Sequence, residues 1–114
     1  MFVYQLTLVV TEKKLDEFID SLRHLSSEIR EEQGCLDCSL YRHLAKKEAY
    51  RVLAKWKTRQ AMEAHFKRDN FAVLIGAAKV LGEDFEMSID ETLEKGGYPL
   101  AQKKISLHPV SNYQ

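Results

Sequence analysis

The sequence carries no net charge: its 114 residues hold 17 lysines and arginines against 17 aspartates and glutamates. Nucleic acid is therefore not an expected partner, because phosphate binding needs an excess of Lys and Arg on one face. No apolar run approaches the roughly 18 residues of a membrane span, so no membrane partner is expected either. The opening "MFVYQLTLVV" is apolar, but it lacks a basic leading region and a small-residue cleavage site, so it does not read as a secretion signal. The expected location is cytoplasmic. Cysteine is scarce, with only Cys35 and Cys38 in "GCLDC". A zinc site would need a second pair of ligands. A redox pair belongs at a helix N-terminus, whose dipole favours the thiolate, whereas these two open an apparent strand. In extended chain they would lie about 10 Å apart on opposite faces, beyond the ~7 Å limit of a disulfide. They are expected to stay unpaired, and no metal is expected. Internal repeats and low-complexity segments are absent as well.

What is present is clear periodicity. The length fits one domain with one modest core. Phe2, Tyr4, Leu6, Leu8 and Val10 alternate with Val3, Gln5, Thr7 and Val9, the signature of a strand. Thr11 is placed to cap a helix in which Leu15, Phe18, Ile19, Leu22, Leu25 or Ser26, and Ile29 follow the 3.6-residue period. Gly34 is placed to end it. A second strand sets Leu36, Cys38, Leu40 and Arg42 against Asp37, Ser39, Tyr41 and His43. After the polar turn "AKKE", a third sets Tyr50, Val52, Ala54 and Trp56 against Ala49, Arg51, Leu53 and Lys55. Thr58 caps a short helix to about Lys67. Asp69 caps another with the stripe Phe71, Leu74, Ile75, Ala78 and Leu81, stopped by Gly82. "EDFEMSID" is the last strand, with Phe85, Met87 and Ile89 opposite Glu86, Ser88 and Asp90. The pattern dissolves after Glu94. The chain thus divides into a domain over 1–94 and a tail over 95–114, where "KISLH" alternates only weakly.

This order, strand, helix, strand, strand, helical pair, strand, is the α+β ferredoxin-like βαββαβ pattern. It predicts a four-stranded antiparallel sheet with helices on one face. The other face carries Val3, Val9, Tyr41 and Leu53, more apolar surface than water usually covers. A second copy of the chain is the expected cover, giving a symmetric homodimer. Arg51 and Lys55 on that face then need carboxylates, with Asp37, Glu86 and Asp90 as candidates.

Several stretches carry a resemblance. "EEQGCLDCSLYRH", "YRVLAKW" and "AMEAHFKRDNF" are similar to the antibiotic biosynthesis monooxygenase family of dimeric α+β barrel proteins, over roughly Phe2 to Asp90. The resemblance implies the dimer and a pocket in each subunit between sheet and helices. It also implies a range of activities: cofactor-independent oxygenation of phenols and quinols, heme degradation, isomerisation of small signalling molecules, or none. Two positions depart from the pattern. Ala54 stands where many members carry Glu, and Asn70 where many carry a second His. The positions matching the heme-degrading triad look like Tyr4, His65 and Ile75, none of which keeps it.

The helix-facing polar or aromatic groups are Tyr4, Cys38, Arg42, Tyr50, Trp56 and His65. A mostly apolar pocket with a few convergent polar groups is the default small-molecule site. His65 titrates near neutrality and is the natural base. Trp56 is placed to stack on an aromatic substrate, Tyr4 and Tyr50 to bond its oxygens, and Arg42 to stabilise its anion. The expected activity is a cofactor-independent monooxygenation of a small phenol or quinol, with no cofactor. The alternative is a non-catalytic small-molecule-binding or structural dimer. In it Tyr4, Tyr50, Trp56 and His65 are core residues and Arg42 reaches water. An enclosed cavity walled by His65 favours the first reading; a space filled by side chains favours the second. Asp20, His24 and Glu28 share a helix face, but a solvated one.

Overall fold

Alternation at period two and period 3.6 becomes a two-layer α+β structure in a computed structural model, which describes residues 1–106. The elements are β1 (Phe2–Val9), α1 (Glu12–Arg30), β2 (Cys35–Arg42), β3 (Ala49–Trp56), α2 (Arg59–Phe66), α3 (Asp69–Leu81), β4 (Glu83–Glu91) and α4 (Tyr98–Ser106). The strands form one sheet in the order β2-β3-β1-β4, with every neighbour antiparallel. This is the ferredoxin-like arrangement. The register sets Tyr4 opposite Ala54, Leu6 opposite Val52 and Leu8 opposite Tyr50. These inward residues pack with Phe18, Leu22 and Ile29 of α1, Met62 of α2, and Leu74 and Ala78 of α3 into one buried core. Full burial of each large apolar side chain stabilises the fold by about 1.5–3 kcal/mol. No helix is long and apolar enough to cross a membrane among the described residues.

The helix ends differ from expectation in three places. Thr58 caps α2 as expected, its Oγ1 accepting from the Ala61 N–H at 3.1 Å. Thr11 makes no side-chain cap bond to α1. Asp69 is the first residue of α3 rather than its cap, which is Arg68. Its carboxylate still favours the positive end of the helix. Helix α1 ends at Arg30, before Gly34. Gly34 instead turns the chain into β2 with φ +81, a left-handed conformation that glycine adopts without steric cost.

A bulge corrects the reading of β2. Cys35 lies opposite Trp56, Asp37 opposite Lys55 and Cys38 opposite Ala54, so one extra residue of β2 lies between two positions whose partners are adjacent in β3. The extra residue is Leu36, which is exposed. A bulge resets the in–out alternation. It puts Cys35 and Cys38 on the same, helix-facing side, rather than opposite sides, and both thiols are free.

Strand β4 keeps its predicted phase, with Ile89 opposite Tyr4 and Met87 opposite Leu6. It is nevertheless an edge strand beyond the helical layer, so Phe85 and Ile89 remain 44% and 51% exposed. The tail, whose sequence alternates only weakly, carries a further helix. Most of "KISLH" belongs to helix α4, with its last residues, Leu107 and His108, outside the described residues. A lone alternating patch has no neighbouring strand to pair with, whereas Pro99 suits a first helical turn.

Gly34 gives a direct test of the β2 entry. A Cβ there would stand 2.4 Å from the Ala61 Cβ, at a φ that alanine resists. Gly34→Ala is expected to destabilise the protein by about 1–3 kcal/mol. A thermal melt should fall by several degrees or more; an unchanged melt would contradict the turn geometry.

Candidate functional site

Helix α2 is short, and its Thr58 cap fixes its phase, so Met62 and His65 fall one turn apart on the inward face. His65 is 1% exposed. A buried imidazole must satisfy both ring nitrogens, and His65 does so. Nδ1 lies 2.9 Å from Glu32 Oε1, and Nε2 lies 2.7 Å from Tyr4 Oη. A carboxylate only accepts, so Nδ1 carries the proton and Nε2 is left as acceptor for the Tyr4 hydroxyl. Glu32 sits in the turn after α1, and its side chain is only 6% exposed. Asn70 Nδ2 donates to Glu32 Oε2 at 3.2 Å, and the Arg68 guanidinium lies 3.6 Å from Oε1. The carboxylate is thus held from three sides.

Aromatic rings enclose the imidazole. Its centroid is 4.6 Å from the Trp56 ring and 5.5 Å from the Tyr4 ring, which stacks nearly parallel. Phe71 meets it edge-on at 5.4 Å. Burial lowers the His65 pKa from its ordinary value, while the Glu32 hydrogen bond and charge act the other way. Burial raises that of the Tyr4 phenol, helped by the thiols of Cys38 and Cys35 and by Glu32. Burial also pushes Cys38 up to about 12 and Cys35 to about 11. Neither is a thiolate at neutral pH, which removes both as nucleophiles. The Trp56 indole N–H is buried and has no hydrogen-bond partner among the described residues.

The space expected to hold a ligand between sheet and helices is filled here. Tyr4, Trp56 and Met62 are fully buried against His65. The opening near them is a cleft of about 550 Å³ between the α1–β2 turn and α2, lined by Glu32, Lys57, Ala61, Ala64, His65 and Arg68 among others. The predicted residues do not all converge. Tyr4, Trp56 and His65 come together. Tyr50 lies six residues down β3, roughly 20 Å away at 3.3 Å per residue, with its ring against Phe18. Arg42 is paired opposite Tyr50 and exposed. These two line a separate cleft of about 520 Å³ with Tyr41, Arg51 and Leu53. Glu32 was missed in the sequence reading. The signal for it was the second nitrogen of an inward-facing histidine, which demands a partner.

The sequence profile of the antibiotic biosynthesis monooxygenase family matches residues 1–76. The chain belongs to this family. It is 27% identical over 81 residues to a Bacillus subtilis protein named "Putative monooxygenase YcnE", covering 71% of this chain and 85% of that one. The fold matches that of "a putative antibiotic biosynthesis monooxygenase" from Deinococcus radiodurans with a TM-score of 0.78 at 22% identity, covering 85% of this chain and 97% of that one. It also matches SnoaB, a cofactor-independent oxygenase from Streptomyces nogalater, with a TM-score of 0.72 at 16% identity, covering 82% and 94%. Family and relatives support a monooxygenase-like role. Solved relatives of this kind are covered over 93–100% of their length by 80–85% of this chain, which therefore extends beyond them.

The lowered His65 pKa makes stability depend on pH. The unfolded chain protonates His65 as pH falls through about 6.5, while the folded chain resists until lower pH. In that window the unfolded state binds more protons, so stability is held above pH 6.5 and lost as pH drops below it. The melting temperature of the wild type should therefore fall between pH 7 and 5.5. His65→Gln should melt lower at pH 7 and lose less over the same range; parallel curves would show that His65 does not titrate this way.

Proposed function

We propose that the protein is a cofactor-independent monooxygenase of a small phenol or quinol, with His65 as general base. The observation that carries this reading is the 2.7 Å contact between His65 Nε2 and the Tyr4 hydroxyl. The base already accepts from a phenol, and Glu32 presets the tautomer that can do so. A substrate phenol reaches Nε2 either by displacing Tyr4 Oη or by passing its proton through it. Proton removal leaves an electron-rich phenolate, which gives an electron to dioxygen. The two radicals combine at a ring carbon as a peroxide, and loss of water leaves a carbonyl. One oxygen atom enters the product, and the other leaves as water. The chain's own part is to bind the ring, take its proton and exclude water. In this reading Trp56 offers its face to the substrate ring. Tyr50 and Arg42 lie too far away to act with His65, so a contact of theirs with ligand belongs to the second cleft.

A second reading rests on the packing. Tyr4, Trp56 and Met62 fill the space around His65, and Ala54 leaves no carboxylate on β3 beside it. On this view the protein is a non-catalytic binding or structural dimer. In both readings we propose a homodimer built by opposing the open sheet faces, supported by Val3, Val9, Tyr41 and Leu53 on that side. Sedimentation at micromolar concentration should show a dimer; a monomer would rule this out.

Oxygen uptake with a panel of dihydroxy-aromatics separates the readings. General-base help is worth about 100- to 10,000-fold, so His65→Ala should lose nearly all turnover. Tyr4→Phe should change activity and leave the base in place. Because His65 is held neutral, wild-type kcat should remain at its plateau as pH falls past 6.5 and decline only below. Full activity in His65→Ala would remove this mechanism. No uptake by the wild type with any member of the panel favours the non-catalytic reading.

A further inference from the structure

The chain beyond β4 forms an arm that leaves its own domain. Pairing with β1 continues to Thr92, whose N–H donates to the Met1 carbonyl at 2.8 Å. Only residues 93–97 then separate the sheet from α4. The arm is braced on itself: Lys104 pairs with Glu94, and Leu100 packs against Gly96. None of α4 is buried, and Tyr98 is 88% exposed. With the arm included, the molecule is 51 Å long and its radius of gyration is 17.1 Å, against about 13 Å for a compact chain of about 100 residues. The βαββαβ core accounts for all the other elements.

A complementary surface lies on α3 and β4. Helix α3 is hydrophobic nearly all round, which ordinarily marks a helix covered on every side. Leu74, Ala78 and Leu81 face the core. Val73, Gly76 and Val80 recur at helical spacing and are exposed, Val80 by 68%. Beside α3, the helix-facing side of β4 leaves Phe85 and Ile89 uncovered. Strand β4 also carries five carboxylates, Glu83, Asp84, Glu86, Asp90 and Glu91, and no basic residue. Helix α4 carries Lys103 and Lys104 and no acidic residue. Its apolar side chains include Tyr98 and Ile105, both exposed.

We infer that α4 of one subunit docks on the α3–β4 surface of a second copy of this chain. Tyr98 and Ile105 cover the apolar strip, and Lys103 and Lys104 meet the carboxylates of β4. A second copy is favoured over the arm's own domain because α4 buries no residue against that domain, while the Lys104–Glu94 pair ties it to the short link instead. Symmetry makes the exchange reciprocal, so each subunit gives one arm and receives one.

The test uses full-length protein in two isotopic forms. Light and ¹⁵N-labelled chains are incubated together until native mass spectrometry shows no further subunit exchange. A zero-length carbodiimide then joins lysines to carboxylates that touch them. Heavy–light peptides joining Lys103 or Lys104 to Glu83, Asp84 or Glu91 are the expected result. Val80→Glu places a charge on an exposed position, and its melt should stay near wild type. It should weaken those heavy–light links by roughly tenfold or more, the scale of an interface hot spot. Same-isotope links alone would mean that the arm folds back on its own domain, and would overturn the inference. So would the absence of links to β4, or links unchanged in Val80→Glu. A dimer that persists without them would leave the open-face interface standing and remove only the arm.

Discussion

The hydrogen bond between Glu32 and His65 is the constraint on which the rest of this site depends. It joins residues 33 positions apart, one in the turn before β2 and one on α2. It therefore ties the two crossovers of the βαββαβ fold together at one end of the sheet. Burial alone would make the imidazole a poor base and a costly passenger. The carboxylate offsets that cost in part and fixes which nitrogen carries the proton. Asn70 and Arg68 hold the carboxylate in turn, so α3 is drawn into the same network. A buried polar network of this kind is stable only while every member is satisfied.

Much of this was legible in the sequence, and the failures have physical causes. Strand phase was readable in β1 and β3 because one face of each is buried and the other is not. It broke in β2 because one extra residue at Leu36 cannot be seen in the pattern of hydrophobicity. His65 was found because it breaks an apolar face. Glu32 was not, since "EEQG" reads as a solvated turn and only the folded chain buries one of its two acids. Tyr50 and Arg42 were grouped with His65 for a different reason. Alternation reports which face a side chain takes, not how far along the strand it lies. The face was right and the distance was not. Helix α4 escaped because none of its residues is buried among the described residues, so no buried stripe shaped its sequence.

Asn70 was first a departure from the family pattern and is part of the hydrogen-bond network around His65. It donates to the far oxygen of Glu32, a bond that a neutral amide makes at any pH. An imidazole there would add a second titrating group to the same carboxylate. The amide leaves the Glu32–His65 pair as the principal proton balance at this end of the sheet. Ala54 has the opposite character. It is fully buried and paired opposite Tyr4, so β3 offers the His65 network no further polar group at that position.

Trp56 is the protein's single tryptophan, and its ring lies 4.6 Å from His65. An indole sealed from water emits at short wavelength, and a protonated imidazole in contact with an excited indole quenches it. The molecule thus contains one tryptophan, set against the one histidine of its site. Its emission colour reports whether that end of the sheet is open to water, and its intensity reports the charge on the ring beside it. This end of the core can be read optically, without a label.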